Sequence, residues 1–362
     1  MNMKLVKVLS LIAVFFIFSG FQIIIIDKSG RDKDEISFIE HSSEFKVDIM
    51  AGRKLFTSYR WHDPIFLNIK KPVLYPVMTF KGTEVTRGFP LNPRPGERVD
   101  HPHHIGVCFN YGNVNGYDFW NNSSAIPGSR MGHYGTIMHK SIESVEGGSG
   151  EGIMITRESW VGPDGEEILG EKSEYHFISK GSIRIIDRIT TLTATNGDVT
   201  MKDTKEGLYG IRVARQLELP SDEELILTDA SGNPTTVKNM SNEGVSGNYR
   251  SGNSKTGDEV FGTRDKWVKL YGKIGKENIS IVMIDHPGNP GYPAYWHARG
   301  YGLLLVNPLG AAAYSGGKHE MNYKIPSGSS STFRYRMIIH SGDDFTDDNI
   351  NEYADDFSGK YK

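Results

Sequence analysis

The chain has 362 residues, with 41 Lys plus Arg against 44 Asp plus Glu, a formal charge of −3, 38% apolar and 11% aromatic residues, and one cysteine, Cys108. This composition supplies a large core and excludes wholesale disorder, and its charge balance lacks the basic excess that a nucleic-acid surface carries. A single cysteine rules out an internal disulfide, a cysteine-built zinc site and a cysteine-ligated iron–sulfur cluster, so any metal must rest on His and carboxylate ligands.

Residues 1–27 carry Lys4 and Lys7, then an apolar run over 8–26 with small residues at Ser19 and Gly20. That order is expected of a signal peptide, and the run is also long enough to remain as an N-terminal anchor. No cysteine near its end can take a lipid, and no later apolar run reaches the length of a second span. The mature chain is expected to be periplasmic or secreted, touching a membrane only if the leader is retained. Residues 28–35 read as a polar linker and 36–362 as a single domain.

Beyond the linker the chain is a succession of short β-type runs punctuated by Gly, Asn, Asp and Pro. The runs are 73–80, 105–111, 135–145, 152–161, 173–178, 182–195, 208–218, 267–274, 279–285, 302–306 and 332–340. Residues 182–192 alternate polar and apolar at close to period two, the pattern of a strand with one solvated face. Gly162-Pro-Asp-Gly165 suits a hairpin turn, and the Gly/Ser/Asn-rich stretch 241–257 reads as a surface loop. One helix is predicted at the end. Thr346 caps it, Asp347 and Asp348 complement its dipole, Ile350, Tyr353 and Phe357 share a face, and Gly359 stops it. The expected fold is all-β: a large two-sheet β-sandwich, supersandwich-like, with a short C-terminal helix covering a sheet. There is no GxGxxG after a strand and no P-loop, so no nucleotide cofactor is expected.

The densest chemical signal is Arg94-Pro-Gly-Glu-Arg-Val-Asp-His-Pro-His-His-Ile-Gly106. If this segment is extended, His101 and His103 point to one side and His104 to the other. Two imidazoles on one side can share a divalent metal ion, with Asp100 as a further ligand or as the group that fixes a tautomer; the alternative is a polar loop whose histidines bond to backbone. His101, His103 and His104 are the candidate metal ligands. Next comes Tyr111-Gly-Asn-Val-Asn-Gly-Tyr-Asp-Phe-Trp-Asn121, in which Asp118 and Trp120 suit a sugar ring, or else Phe119 and Trp120 are core.

A second constellation is Asp285-His-Pro-Gly-Asn-Pro-Gly-Tyr-Pro-Ala-Tyr-Trp-His-Ala-Arg-Gly-Tyr-Gly302, followed by Asn307. Such Pro- and Gly-rich sequence is not a central strand and is expected as a loop at a sheet end, where sites collect. Between the two lies Asp203-Thr-Lys-Glu-Gly207, where Glu206 beside Lys205 is either a candidate base or plain exposed charge. Catalytic candidates are His103, Glu206, His286 and His297; substrate-binding candidates are Asp118, Trp120, Lys205, Trp296, Arg299 and Asn307.

These stretches, together with Glu84-Val-Thr-Arg-Gly-Phe-Pro90, occur in an order that resembles an exported bacterial family of unknown function, DUF6807, whose members are also labelled "methane oxygenase PmoA". The resemblance covers most of residues 70–341. It implies a fold similar to the galactose-mutarotase type of supersandwich and, through the sugar dehydrogenases and glycan-degrading proteins that relatives accompany, a carbohydrate or sugar-derived ligand. The label does not describe this chain: the membrane subunit of that oxygenase is built of several apolar helices, and here only the leader is apolar enough.

The leading expectation is an exported carbohydrate-active enzyme using a His-rich site for proton transfer (mutarotation, epimerisation, or elimination or hydrolysis of a modified sugar), with or without one divalent metal ion. The alternatives are a noncatalytic glycan-binding protein with Trp120 and Trp296 as stacking platforms, and a His-ligated copper or iron oxygenase. No Gly-x-Ser-x-Gly elbow supports Ser/His/Asp hydrolysis.

Overall fold

The computed structural model describes residues 33–62, 69–238 and 241–361. The leader, and the linker up to residue 32, lie outside the described residues. Among the described residues no helix is long and apolar enough to cross a membrane.

Two large antiparallel sheets form a β-sandwich, as the punctuated runs predict. The first sheet has nine strands in the spatial order Tyr295–Arg299, Leu303–Asn307, Gly207–Arg212, Val107–Tyr111, Val73–Val77, Lys54–Arg60, Lys46–Ala51, Glu35–His41 and Gly148–Ser149. The second has eight: Asn248–Ser251, Trp267–Ile274, Glu277–Asp285, Ser330–Ser341, Ile183–Ala194, Glu167–Lys180, Glu151–Val161 and Thr136–Glu146. Residues from both sheets, among them Trp160, Phe177, Tyr209, Trp296 and Met337, fill one continuous core between them.

The helix Asp347–Gly359 begins at a capping box between Thr346 and Asn349 and buries Ile350, Ala354 and Phe357. Those residues pack on Ile185, Trp267, Val282, Ile284 and Ile338, the outer face of the second sheet. This changes one expectation. Over Arg184–Arg188 both faces of the strand are buried, one against the sandwich core and one beneath the helix, and burial alternates only from Ile189 to Ala194, with Thr190, Leu192 and Ala194 buried and Ile189, Thr191 and Thr193 half-buried. The turn at Gly162 forms as predicted, with Gly165 N–H donating to the Gly162 carbonyl at 3.0 Å.

Two more segments differ. Residues 241–257 are not loop throughout, because Asn248–Ser251 pairs with Trp267–Ile274 at the sheet margin. Tyr295–Arg299, inside the Pro- and Gly-rich stretch, is the edge strand of the first sheet, a place where neighbouring prolines do no harm to a ladder.

Candidate active site on the outer face of the first sheet

Strand parity decides which of the candidate residues can meet. His297, Leu305, Gly210, Cys108 and Val73 are successive cross-strand partners, and so are Arg299, Leu303 and Arg212. Cross-strand partners share a face, so these two rows lie on the side of the sheet away from the sandwich core. Trp296 and Ala298, one residue out of phase, point into that core. Gly210 is required in this row, because an added Cβ would meet Leu305 Cδ2 at 2.0 Å.

The histidine segment folds over this outer face as a turn. His104 N–H donates to the His101 carbonyl at 2.9 Å, and His101 takes a left-handed φ of 41°. Extended geometry would have separated His104 from the other two; the turn gathers all three, with His101 and His104 stacked at 4.8 Å and His103 edge-on to His104 at 4.2 Å between ring centroids. Arg87 imposes the turn. Its Nη2 donates to the carbonyls of His101 (3.0 Å) and His104 (3.1 Å), and its Nη1 to the Asp100 carbonyl and carboxylate. Arg212 Nη2 donates to the same Asp100 carboxylate at 2.8 Å. Although burial alone would raise Asp100, hydrogen bonding to His101 and the charges of Arg212 and Arg87 hold its carboxyl well below the usual range.

Arg212 Nη1 also donates to His104 Nδ1 at 3.3 Å, which leaves the proton of the neutral imidazole on Nε2. Burial is the chief reason that His104 stays neutral, and with Lys71, His101 and the arginines it takes His103 down to about 2. Two guanidiniums against the neutral His103 and His104 rings make a poor cation site. Among the described residues no three His, Cys, Asp or Glu side chains are placed to hold a metal ion.

Beside this cluster lies the segment 203–206, held from several directions. Asp203 accepts from the backbone N–H groups of Ala312, Met321 and Asn322, and Asn307 Nδ2 donates to the Thr204 carbonyl at 2.8 Å. Asn307 Oδ1 accepts from Leu309 N–H, so both ends of this amide serve the backbone. Gly112 leaves room for Glu206, whose Cβ would lie 2.8 Å from a Cβ there. Burial raises the Glu206 carboxyl, which also feels Lys205, Asp118, His101 and Arg299. Lys205 Nζ is 3.8 Å from Glu206 and mostly exposed.

His297 faces the same region. Its Nδ1 donates to the Lys205 carbonyl at 2.9 Å, so the neutral ring carries its lone pair on Nε2. Burial, then the nearby cations, lower its pKa to about 4. Thus a carboxyl biased toward its acid form and an imidazole biased toward its base form lie on one face with Arg299 and His101. Arg299 stacks over Phe261 and Tyr301, and His101 stacks on Tyr301 at 5.1 Å. A cleft of about 390 Å³ adjoins this face at Arg299 and Tyr301, walled also by Phe261 and by the polar residues Arg98, Ser221 and Asp258; Glu206 and His297 are not in its lining.

The remaining candidates lie elsewhere or serve other ends. His286 is at the end of the second sheet, where Nε2 donates to the Lys360 carbonyl and Nδ1 accepts from Gly288 N–H; it does not join the cluster. Asp118 is occupied by Trp120 N–H, Asn121 N–H and Asn121 Nδ2. Trp120 and Trp296 are 1% and 0% exposed, so neither offers a stacking face. Arg87, Arg212 and Tyr301, which organise the site, carry no spacing signal of their own; Arg87 and Tyr301 do fall within the ordered motifs.

The fold and this site define a β-sandwich protein with an Arg-braced histidine cluster on the outer face of one sheet. The chain belongs to the family of unknown function DUF6807, whose model matches residues 46–355. No curated protein matches it. Among solved structures it is similar to a GH36 α-galactosidase from Geobacillus stearothermophilus, at 10% identity and a TM-score of 0.38, over 85% of this chain and 41% of that one. The chain thus spans about two-fifths of the α-galactosidases it matches. It is also similar to a putative aldose 1-epimerase from Escherichia coli K12 (12% identity, TM-score 0.32, 85% and 98% of the two chains) and to an aldose epimerase homologue from C. elegans (10%, 0.31, 85% and 99%).

Proposed function

We propose that this is an exported enzyme that moves protons on a sugar or sugar-derived small molecule, with His297 as base and Glu206 as acid. The observation that carries the reading is the pairing of opposite shifts on one face: the Glu206 carboxyl is raised by burial, while the His297 imidazole is lowered to about 4 with its proton fixed on Nδ1. Two groups displaced in opposite directions can hold complementary protonation states at one pH. His297 Nε2 takes a proton from the ligand, Glu206 gives one to a ligand oxygen, and Arg299 and His101 position the ring. At an anomeric centre this opens the ring; beside a ketone it inverts a carbon.

The cleft supports a polyhydroxylated ligand, since it combines aromatic walls at Phe261 and Tyr301 with donors and acceptors from Arg98, Ser221, Asp258 and Arg299. A glycan-binding role resting on Trp120 and Trp296 has no exposed indole to use. The test is ¹H NMR in D₂O of a panel of aldoses and keto-sugars with purified protein. Accelerated anomerisation or solvent deuterium uptake, lost in E206Q and in H297N, supports the reading; a sugar that binds with no acceleration contradicts it.

A further inference from the structure

A second cavity, of about 250 Å³, is lined by Lys70, Lys71, His103, Asn122, Ser123 and Ser124, closed by apolar and proline residues. Among the described residues no carboxylate is in this lining, whereas the first cleft balances Arg98 and Arg299 with Glu223 and Asp258. Lys71 is 2% exposed, and its Nζ donates to the Trp120 carbonyl at 2.9 Å and lies 5.7 Å over the Trp120 ring. Among the described residues no carboxylate pairs with it within salt-bridge distance. Burial lowers the Lys71 pKa, and Asp118, a carboxylate beyond salt-bridge distance, offsets this only in part, so an anion against Nζ would complete the compensation. Asn122, also 2% exposed, donates through Nδ2 to the Gly135 carbonyl and Thr136 hydroxyl, yet its Oδ1 has no partner.

We infer that this cavity is an anion subsite that takes the carboxylate of a sugar acid, with Lys71 as its counter-charge and Asn122 Oδ1 accepting from a neighbouring hydroxyl. The two requirements select one chemistry. A carboxylate answers Lys71, Lys70 and the Ser123 and Ser124 hydroxyls, all donors, while a plain anion would leave the Asn122 carbonyl unmet. A hydroxyl beside the carboxylate meets it. His103 lines this cavity and contacts His101 at 5.7 Å between centroids, and His101 stacks on Tyr301, a wall of the first cleft, so the cavity adjoins the histidine cluster. The inference rests on the proposed function for the identity of the ligand as a sugar, and it deepens that reading to a uronic or aldonic substrate class.

The test compares D-glucuronate and D-galacturonate with their uncharged amides by isothermal titration of the purified protein. The acids are expected to bind at least about tenfold more tightly than the amides, and K71M, checked for folding by circular dichroism, is expected to level the two. The wild-type comparison stands alone if K71M does not fold. Equal affinities of acid and amide, no binding of either acid, or a preference that survives in folded K71M each overturns the inference. Acetate and sulfate form a further arm: if they displace the acid at similar concentrations, the cavity holds a simple anion only and the sugar-acid assignment fails. Because binding is read without turnover, an acid preference that persists in a protein without proton exchange would condemn the catalytic reading and leave the subsite standing.

Discussion

The Lys205 carbonyl accepts a hydrogen bond from His297 Nδ1 at 2.9 Å. It ties the residue beside Glu206 to the edge-strand imidazole, so acid and base are positioned by one backbone group. The same carbonyl accepts from Tyr314 Oη at 3.0 Å, which leaves little freedom for the segment to shift.

Trp296 distinguishes a core role from a ligand-binding one. It is fully buried and its Nε1 donates to the Asp265 carbonyl at 3.0 Å. Trp296→Ala should destabilise the fold by about 3–5 kcal/mol, as large-to-small core changes do. Urea unfolding gives the cost. A folded variant of unchanged stability that loses sugar affinity would contradict the placement.

Arg87 is the brace of the histidine turn, with its side chain fully buried. Arg87→Met strands three carbonyls, while the Asp100 carboxylate, itself partly exposed, loses one partner and retains Arg212. The expected cost is about 3 kcal/mol, together with loss of turnover. Denaturation and activity should fall together; full activity in a variant destabilised by less than about 1 kcal/mol would show that the turn forms without it.

His139 provides a pH test remote from the site. Its Nδ1 is 3.0 Å from Tyr59 Oη, whose hydrogen goes to Glu158, and burial lowers the imidazole to about 4. The unfolded ring titrates near 6.5, so between these values the unfolded chain binds the extra proton and stability falls as the pH falls. His139→Gln, which can still donate to Tyr59, should flatten the melting-temperature profile from pH 6.5 to 4 relative to wild type. An equal slope in both proteins would show that His139 stays charged in the fold.

Much of the sandwich was legible because strand punctuation and hydrophobic alternation are local signals, as at Trp267–Ile274, where expected and observed bounds coincide. The terminal helix was legible because Thr346 and its acidic first turn are local as well. The site was legible as a set of motifs and not as a geometry. Adjacent histidines suggest an extended segment, but Arg87 reaches across from well upstream to bind two of their carbonyls, and no local pattern encodes that contact. Likewise the prolines around Tyr295–Arg299 hid an edge strand whose parity sends Trp296 inward and His297 and Arg299 outward. Lys71 carries no local signal, because a Lys-Lys pair has the pattern of solvated charge and only the fold over it makes it buried.

The most direct test of the central claim is the pH profile of kcat/KM for proton exchange on an accepted sugar, in wild type, E206Q and H297N. The account predicts a rate that rises as pH climbs through about 4, where His297 becomes neutral, and falls again as the raised Glu206 carboxyl ionises. Each variant should lose roughly 10²- to 10⁴-fold while remaining folded. A rate that neither variant reduces, or a profile flat across this range, would contradict the assignment of Glu206 and His297 as acid and base.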